Sequence, residues 1–309
     1  MTRVSVVGLG VMGSPMAVRL ARAGHEVIGF NRTPSKASAL VDAGGRAASS
    51  LAEAASGAEI VLTVLPDTPD VRAVLLGDRG VLAHLEPGSL CVDLSTIAPA
   101  AARELAAAAT EQGIGMLDAP VSGGERGAID GTLSIMVGGE AADLDRAKPV
   151  LEVLGRTIVH VGPHGAGQLT KAANQLVVAG NIALVAEAMV FLRANGVDPG
   201  RALEVLGGGL AGSRVLDQKG PAMLERRFEP GFRLSLHHKD LGIAAEAARS
   251  AQVVTPLGAM AAQLVASAVA RGLGDLDHAA LVCVIETLSG LADRSSPPRG
   301  PEEPQASFG

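Results

Sequence analysis

The sequence predicts an α/β domain followed by an all-helical one, the two joined by a long helix. Three observations carry this. In the first half, short β-branched strands alternate with helical stretches, the pattern of a parallel sheet covered on both faces. The alternation stops near residue 163, and from Gly167 onward no segment reads as a strand. Between the halves lies "LTKAANQLVVAGNIALVAEAMVFL" (169–192), an almost unbroken apolar run whose only charges are Lys171 and Glu187. The expected organisation is an α/β domain over 1–163, a helical domain over 164–295 and a Pro-rich, disordered tail over 296–309.

"RVSVVG" (3–8) is the first strand, and "VMGSPMAVRLARAG" (11–24) is a helix that Gly24 ends. "HEVIGFN" (25–31) is the next strand. "SSLAEAASGA" is a short helix with a serine start signal. "EIVLTVLP" (59–66) is a buried strand closed by Pro66, "TPDVRAVLLG" a helix and "SLCVDLST" (89–96) a strand. "PAAARELAAAATEQG" (99–113) is an alanine-rich helix, followed by strands over 114–124 and 131–139, a helix in "AADLDRAKPVLEVLG" and a last strand at 157–162. Beyond the long helix, "RALEVLGGGLAG", "LGIAAEAARSAQ", "TPLGAMAAQLVASAVARG" and "DLDHAALVCVIETLSGLA" all read as helices.

Composition narrows the function. The net charge is −6, no basic block occurs, and Phe is the only aromatic besides His, five residues in all. Nucleic-acid binders show a basic footprint or stacking aromatics, so that class is set aside. Cys91 and Cys283 sit in apolar runs and read as small core residues. The seven histidines show no ligand spacing, so no metal is expected. Asn174, Gln175 and Asn181 interrupt the long apolar run, which falls short of an uninterrupted membrane span of about 18 residues or more. The start "MTRVSVVGLG" lacks the parts of a secretory leader, and a soluble cytoplasmic protein is the expectation.

Gly8-Leu9-Gly10-Val11-Met12-Gly13 fits G-x-G-x-x-G. The pattern alone is weak, but here it follows a strand, opens a helix and begins a strand–helix–strand unit. The first glycine makes the tight turn, the second lets a pyrophosphate approach the backbone, and the third lets helix pack on strand. The second strand ends in Asn31-Arg32-Thr33, where an NAD binder usually carries Asp or Glu. Arginine suits a 2′-phosphate, so NADP(H) is the expected cofactor, with NAD(H) possible. A solvated surface arginine is the other reading of Arg32.

"DAPVSGGERGAIDGTLSIMVGG" (118–139) is dense in glycine without dinucleotide spacing. The Ser122 hydroxyl and the N–H groups of Gly123 and Gly124 can receive a small carboxylate; a glycine-bent hairpin with no ligand is the alternative. Lys171, Asn174 and Gln175 share one helical face. Lys171 there reads either as a general acid–base or as a side chain snorkelling to water. "HHKD" (237–240) offers Lys239 for a cofactor or substrate carboxylate, or merely as a solvated lysine; adjacent His237 and His238 face different ways on a helix.

Taken together, "GLGVMGSPMA" (8–17), "DAPVSGGERGAIDGTLSIMVGG" (118–139), "KAANQ" (171–175) and "KDL" (239–241) resemble the β-hydroxyacid dehydrogenase family, over essentially the whole chain to residue 291. The resemblance implies a Rossmann-type first domain, an all-α second domain, and hydride exchange between a hydroxy acid and a nicotinamide cofactor. It implies that Lys171 is the catalytic lysine. It places substrate contacts on Ser122, Gly123, Gly124 and Asn174, and cofactor contacts on the loop Gly8–Gly13, on Leu65 and Pro66, on Thr96 and on Lys239. It also implies a homodimer or homotetramer. "GGLAGSRVLDQK" and "FEPGFRLSLHHKDL" lean toward the branch that reduces tartronate semialdehyde. Branches acting on 3-hydroxyisobutyrate, succinic semialdehyde or glyoxylate come next, and an NADP-binding sensor without turnover is the non-enzyme alternative. Arg19 departs from the family, where many members carry Asn.

Overall fold

The structure is a computed structural model that describes residues 1–291; the tail expected to be disordered lies outside the described residues. The chain divides into two compact units, Met1–Lys171 and the remainder from Ala172 onward.

In the first unit the strands are β1 (Arg3–Val7), β2 (Glu26–Phe30), β3 (Arg46–Ala47), β4 (Ile60–Thr63), β5 (Leu90–Asp93), β6 (Gly115–Asp118), β7 (Val121–Ser122), β8 (Leu133–Gly139) and β9 (Gly155–Gly162). Between them run α1 (Gly13–Arg22), α2 (Ser38–Asp42), α3 (Leu51–Ala55), α4 (Thr68–Leu76), α5 (Pro99–Glu111), α6 (Gly124–Asp130) and α7 (Ala141–Leu154). The strands form one sheet in the order β3-β2-β1-β4-β5-β6-β8-β7, with β9 beside β8. The alternation read from the sequence is there, and β3, β2, β1, β4, β5 and β6 are parallel.

The expectation of a parallel sheet fails beyond β6, because β8 runs antiparallel to both β6 and β7. The reason is length. The only helix between β7 and β8 is the seven-residue α6, and a parallel crossover needs a dozen or more residues. The sequence also gave no sign of the short α2 and β3.

Both faces of the central strands are dry. Val4, Val6, Leu62 and Val92 pack with α1 and α7 residues Leu20 and Leu151 on one side. Val7, Val61 and Cys91 pack with Leu75 and Leu105 on the other. Each such side chain contributes roughly 1.5–3 kcal/mol by leaving water. Cys91 is a core residue here: burial pushes its thiol up to about 12. Ser50 starts α3 as expected, accepting from the N–H of Glu53 at 3.1 Å, while the Glu53 carboxylate accepts from Ser49 N–H at 2.7 Å. Arg19, the family departure, is a brace: Nε donates to Val153 O at 3.1 Å and Nη1 to Ile129 O at 3.0 Å, tying α1 to α6 and α7.

At the carboxyl end of the sheet two buried acids stand in register, Asp93 on β5 and Asp118 on β6. Asp93 Oδ1 accepts from Thr63 Oγ1 at 2.7 Å and from Ser95 N–H at 3.1 Å, which ties β4 to β5. Asp118 caps α8 (Ala166–Ala194): Oδ1 accepts from Gly165 N–H at 2.7 Å and Oδ2 from Gln168 N–H at 2.9 Å. Gln168 then holds the loop after β5, its Nε2 donating to Ser95 O at 2.8 Å and its Oε1 accepting from Ile97 N–H at 3.0 Å. Backbone comes very close here. A Cβ on Gly138 would lie 2.6 Å from Asp118 Oδ1, and one on Gly167 would strike Met136 O.

The second unit is helical: the body of α8, then α9 (Pro199–Gly207), α10 (Arg214–Leu224), α11 (Leu234–Ser250), α12 (Pro256–Ala268) and α13 (Leu281–Leu288). Among the described residues it contains no strand, as expected, beyond one isolated bridge between Arg233 and Asp277. By length and composition α8 could cross a membrane. Here one face of it, with Ala179, Ile182, Ala186 and Met189, is the core around which Leu216, Leu234, Leu241, Val265 and Leu281 close. Buried Glu286 accepts from Arg193 at 2.8 Å and from Arg226 at 3.0 Å.

Burial holds the carboxyls of Asp93 and Asp118 above the ordinary carboxylate range, against the hydrogen bonds they accept. A raised folded-state pKa means that the folded protein binds the proton more tightly than the unfolded chain. The contribution to stability is therefore full below the unfolded value and is lost as pH rises through the folded one. Asn cannot ionise, so Asp93→Asn should gain stability relative to wild type between about pH 4 and about pH 7. Urea unfolding of both proteins at the two pH values checks this; a difference that is flat or falls with pH contradicts it.

Candidate active site

The parallel strands deliver their following loops to one edge of the sheet. The loop after β1 is Gly8–Gly13. Gly8 has φ +102°, and a Cβ on it would strike Val64 O, so the turn demands glycine. A Cβ on Gly13 would strike Gly8 O, whereas one on Gly10 would meet nothing within 4 Å. The first and third glycines are thus fixed by packing, and the second faces open space. No side chain caps the first turn of α1 at Met12. A helix amino end left in this state favours an anion. Leu9 and Met12 pack into the core, while Val11 is exposed. These residues fit a dinucleotide's pyrophosphate.

The loop after β2 braces the glycine loop. Leu9 N–H donates to Asn31 Oδ1 at 3.0 Å, and Asn31 Nδ2 donates to Thr33 O at 3.2 Å. The acceptor of Asn31 is therefore engaged by backbone. The Arg32 side chain is 85% exposed, and its nearest acid is Asp70, with Nη2 3.9 Å from Oδ1. After β4, Leu65 N–H donates to Ser95 Oγ at 2.9 Å, which sets Leu65 and exposed Pro66 beside the loop that carries half-buried Thr96.

Ser122 ends β7 half-buried, and Gly123 and Gly124 follow it, both exposed, with φ of +136° and +63°. Both values are costly for a residue with a Cβ. Lys171 stands in the second turn of α8, just past the turn that Asp118 and Gln168 bind to the ends of β5 and β6. It is only 6% exposed. The sequence alone left open a lysine reaching for solvent, and a side chain buried to this degree does not do so. All these residues belong to the first unit.

Asn174 and Lys239 belong to the second. Asn174 Nδ2 donates to Gln175 Oε1 at 2.8 Å. Lys239 lies within α11, not at a helix start, and pairs with buried Asp240, Nζ to Oδ1 at 2.9 Å. His237 is buried and His238 exposed, so the two face different ways on the helix. Among the described residues, no three potential metal ligands cluster.

Asp93, Asp118, Gln168 and Asp240 were not singled out in the sequence. The one signal they gave is an acid or amide placed at the end of an otherwise apolar segment, as in "LCVD", "GMLD" and "GAGQL".

Comparison with known proteins identifies both halves of the chain. Residues 3–162 match the family described as the NAD binding domain of 6-phosphogluconate dehydrogenase. Residues 165–285 match the one described as NAD-binding of NADP-dependent 3-hydroxyisobutyrate dehydrogenase. The 2-hydroxy-3-oxopropionate reductase of Escherichia coli is 42% identical over 93% of this chain and 98% of its own length. The NAD-dependent L-serine dehydrogenase of Pseudomonas aeruginosa is 39% identical over 94% of this chain and 100% of its own. The solved 3-hydroxyisobutyrate dehydrogenase of Mycobacterium tuberculosis with L-serine superposes with a TM-score of 0.84 at 37% identity, over 92% of this chain and 99% of that one. With both halves matched in order and at full length, the chain belongs to the 3-hydroxyisobutyrate dehydrogenase-like family of NAD(P)-dependent β-hydroxyacid dehydrogenases.

Proposed function

We propose that this member reduces a short carboxylate-bearing semialdehyde to its hydroxy acid and catalyses the reverse, with tartronate semialdehyde as the foremost substrate and Lys171 as the general acid–base. The observation that carries the reading is the burial of Lys171 one turn beyond a helix start fastened to the sheet's carboxyl edge. The likeness to 2-hydroxy-3-oxopropionate reductase supports the substrate.

The glycine loop with Leu65, Pro66, Thr96 and Lys239 would hold a nicotinamide cofactor, which would supply hydride in reduction and take it up in oxidation. Lys171 Nζ donates the proton that the substrate oxygen needs in reduction and recovers it in oxidation. Such a group contributes about 10²–10⁴-fold. The Ser122 hydroxyl and the N–H groups of Gly123 and Gly124 hold the substrate carboxylate, which fixes the reacting carbon. Asn174 lies three residues beyond Lys171 on α8 and orients the proton donor.

NADPH is the preferred cofactor in this reading. Asn31 brings no negative charge to repel a 2′-phosphate, and its acceptor is already bonded to Leu9. Arg32 projects into solvent, where it can pair with the phosphate. A charge-assisted bond of about 1.5–3 kcal/mol corresponds to roughly ten- to a hundredfold discrimination.

The enzyme also assembles with copies of itself. On α8, Val177, Leu184 and Phe191 recur every seven residues and are 64%, 63% and 68% exposed. A heptad stripe of this kind suits a second helix of the same pattern.

Lys171→Ala should cut turnover by at least about 10²-fold with cofactor affinity nearly unchanged. Titration of the cofactor by fluorescence, beside steady-state rates, separates the two effects; a variant that keeps a tenth of wild-type turnover refutes the acid–base role.

A substrate panel should show carboxylate-bearing semialdehydes reduced far better than uncharged aldehydes of the same size, with tartronate semialdehyde first. The kcat/KM with NADPH should exceed that with NADH, and Arg32→Ala should erase the difference. A preference for methylmalonate semialdehyde, or for L-serine in the oxidative direction, moves the enzyme to another branch. Cofactor binding without any turnover makes it a sensor.

Sedimentation should give a dimer or tetramer for the wild type and a smaller species for Phe191→Glu. A monomeric wild type contradicts the stripe's role.

A further inference from the structure

Within the helical unit, four polar side chains from α8 and α11 form one chain. Asn174 Nδ2 donates to Gln175 Oε1 at 2.8 Å, Gln175 Nε2 donates to Asp240 Oδ2 at 2.6 Å, and Lys239 Nζ lies 2.9 Å from Asp240 Oδ1. Gln175 and Asp240 are buried, at 3% and 2% exposure, while Asn174 is half-buried. Outside water, each polar atom must find a partner in the protein.

The chain has a direction. A carboxylate paired with an ammonium is ionised and accepts only. Gln175 must therefore turn its amide nitrogen toward Asp240. That leaves Gln175 Oε1 facing Asn174, and only a donor satisfies it. The Asn174 nitrogen is drawn inward, and its Oδ1 is left to face the other way as an acceptor. An amide alone flips at little cost; a buried carboxylate two links away removes the choice.

We propose that Gln175 and Asp240 are positioning residues that fix Asn174 as a hydrogen-bond acceptor toward the reacting groups, while the same Asp240 holds the Lys239 ammonium. This rests on the reading of Lys171 as the acid–base. An acceptor at Asn174 suits the ammonium of Lys171, one helical turn earlier, and the hydroxyl of the hydroxy acid. It does not suit a carbonyl oxygen, which has no proton to give. Asn174 therefore serves the proton donor, and the carbonyl is left to Lys171.

The test is a double-mutant cycle on the full chain with NADPH and the semialdehyde that the panel ranks first. Gln175→Met keeps length and bulk and removes both bonds. In the wild-type background it should lower kcat at least about tenfold and move KM for the semialdehyde by less than about threefold. In an Asn174→Ala background the same change should cost less than about threefold, because nothing remains to be positioned. Equal losses in both backgrounds, with a lowered melting temperature, make Gln175 merely structural and overturn the proposal.

A second readout needs no turnover. In protein labelled with ¹⁵N at Asn and Gln side chains, the Asn174 amide resonances should move on Asp240→Asn, a substitution joined to Asn174 through Gln175. Resonances that stay in place overturn the proposal even if the enzyme is active. If the wild type shows no turnover on any substrate, the functional reading fails, and the resonances still decide the chain of bonds.

Discussion

A single carboxylate organises the first unit. Asp118 ends β6 and accepts from the N–H groups of Gly165 and Gln168, so the amino end of α8 is bonded straight to the sheet. The interaction answers two needs at once. A helix start leaves N–H groups without partners, and a negative charge there is favoured by the helix dipole. Burial opposes the charge and holds the carboxyl above its usual range. The close backbone of Gly138 and Gly167 allows the approach. With that turn fixed, Gln168 reaches the loop after β5 and Lys171 falls at a set height above the sheet's edge. The depth of Lys171 thus follows from helical pitch and one cap.

The two units use buried polarity in the same way for different ends. In the first, Thr63, Asp93, Ser95 and Gln168 stitch strand ends and loops together, so the surface offered to a dinucleotide is built on rigid backbone. In the second, Gln175 and Asp240 join α8 to α11 and give a direction to the groups at their ends. Networks of this kind cost stability when incomplete and specify one arrangement when complete. Both lie next to residues that the family reading gives a role in chemistry.

What was legible in the sequence was what repeats or is spaced locally. The 2-residue and 3.6-residue periods gave the change from α/β to all-α, and the spacing of Gly8, Gly10 and Gly13 after a strand gave the dinucleotide turn. Lys171 and Asn174 were visible because a polar pair in an apolar run is conspicuous. The hidden features are non-local. Gln175 and Asp240 are 65 positions apart, and Asp118 meets Gln168 across 50. No window of sequence joins such residues. The antiparallel turn of β8 was missed because its strand reads like its parallel neighbours, and only the shortness of α6 distinguishes it. The sequence placed the helix around "LGIAAEAARSAQ" too late, since α11 begins at Leu234. Its first turns bury His237 and Asp240, and polar residues in a core break the apolar period.

The boundary between the two units falls inside α8, between Lys171 and Ala172. Domains are usually separated by exposed linkers where few contacts cross. This junction is a hydrogen-bonded helix, with no loose peptide for a protease to grip. A chain cut there would leave the first unit a two-turn stub too short to hold its shape unaided. It would leave the second with a raw helix start, stripped of the Asp118 carboxylate. Neither half is a natural expression fragment, and genetic recombination between relatives at this point would have to keep both sides of the helix in phase.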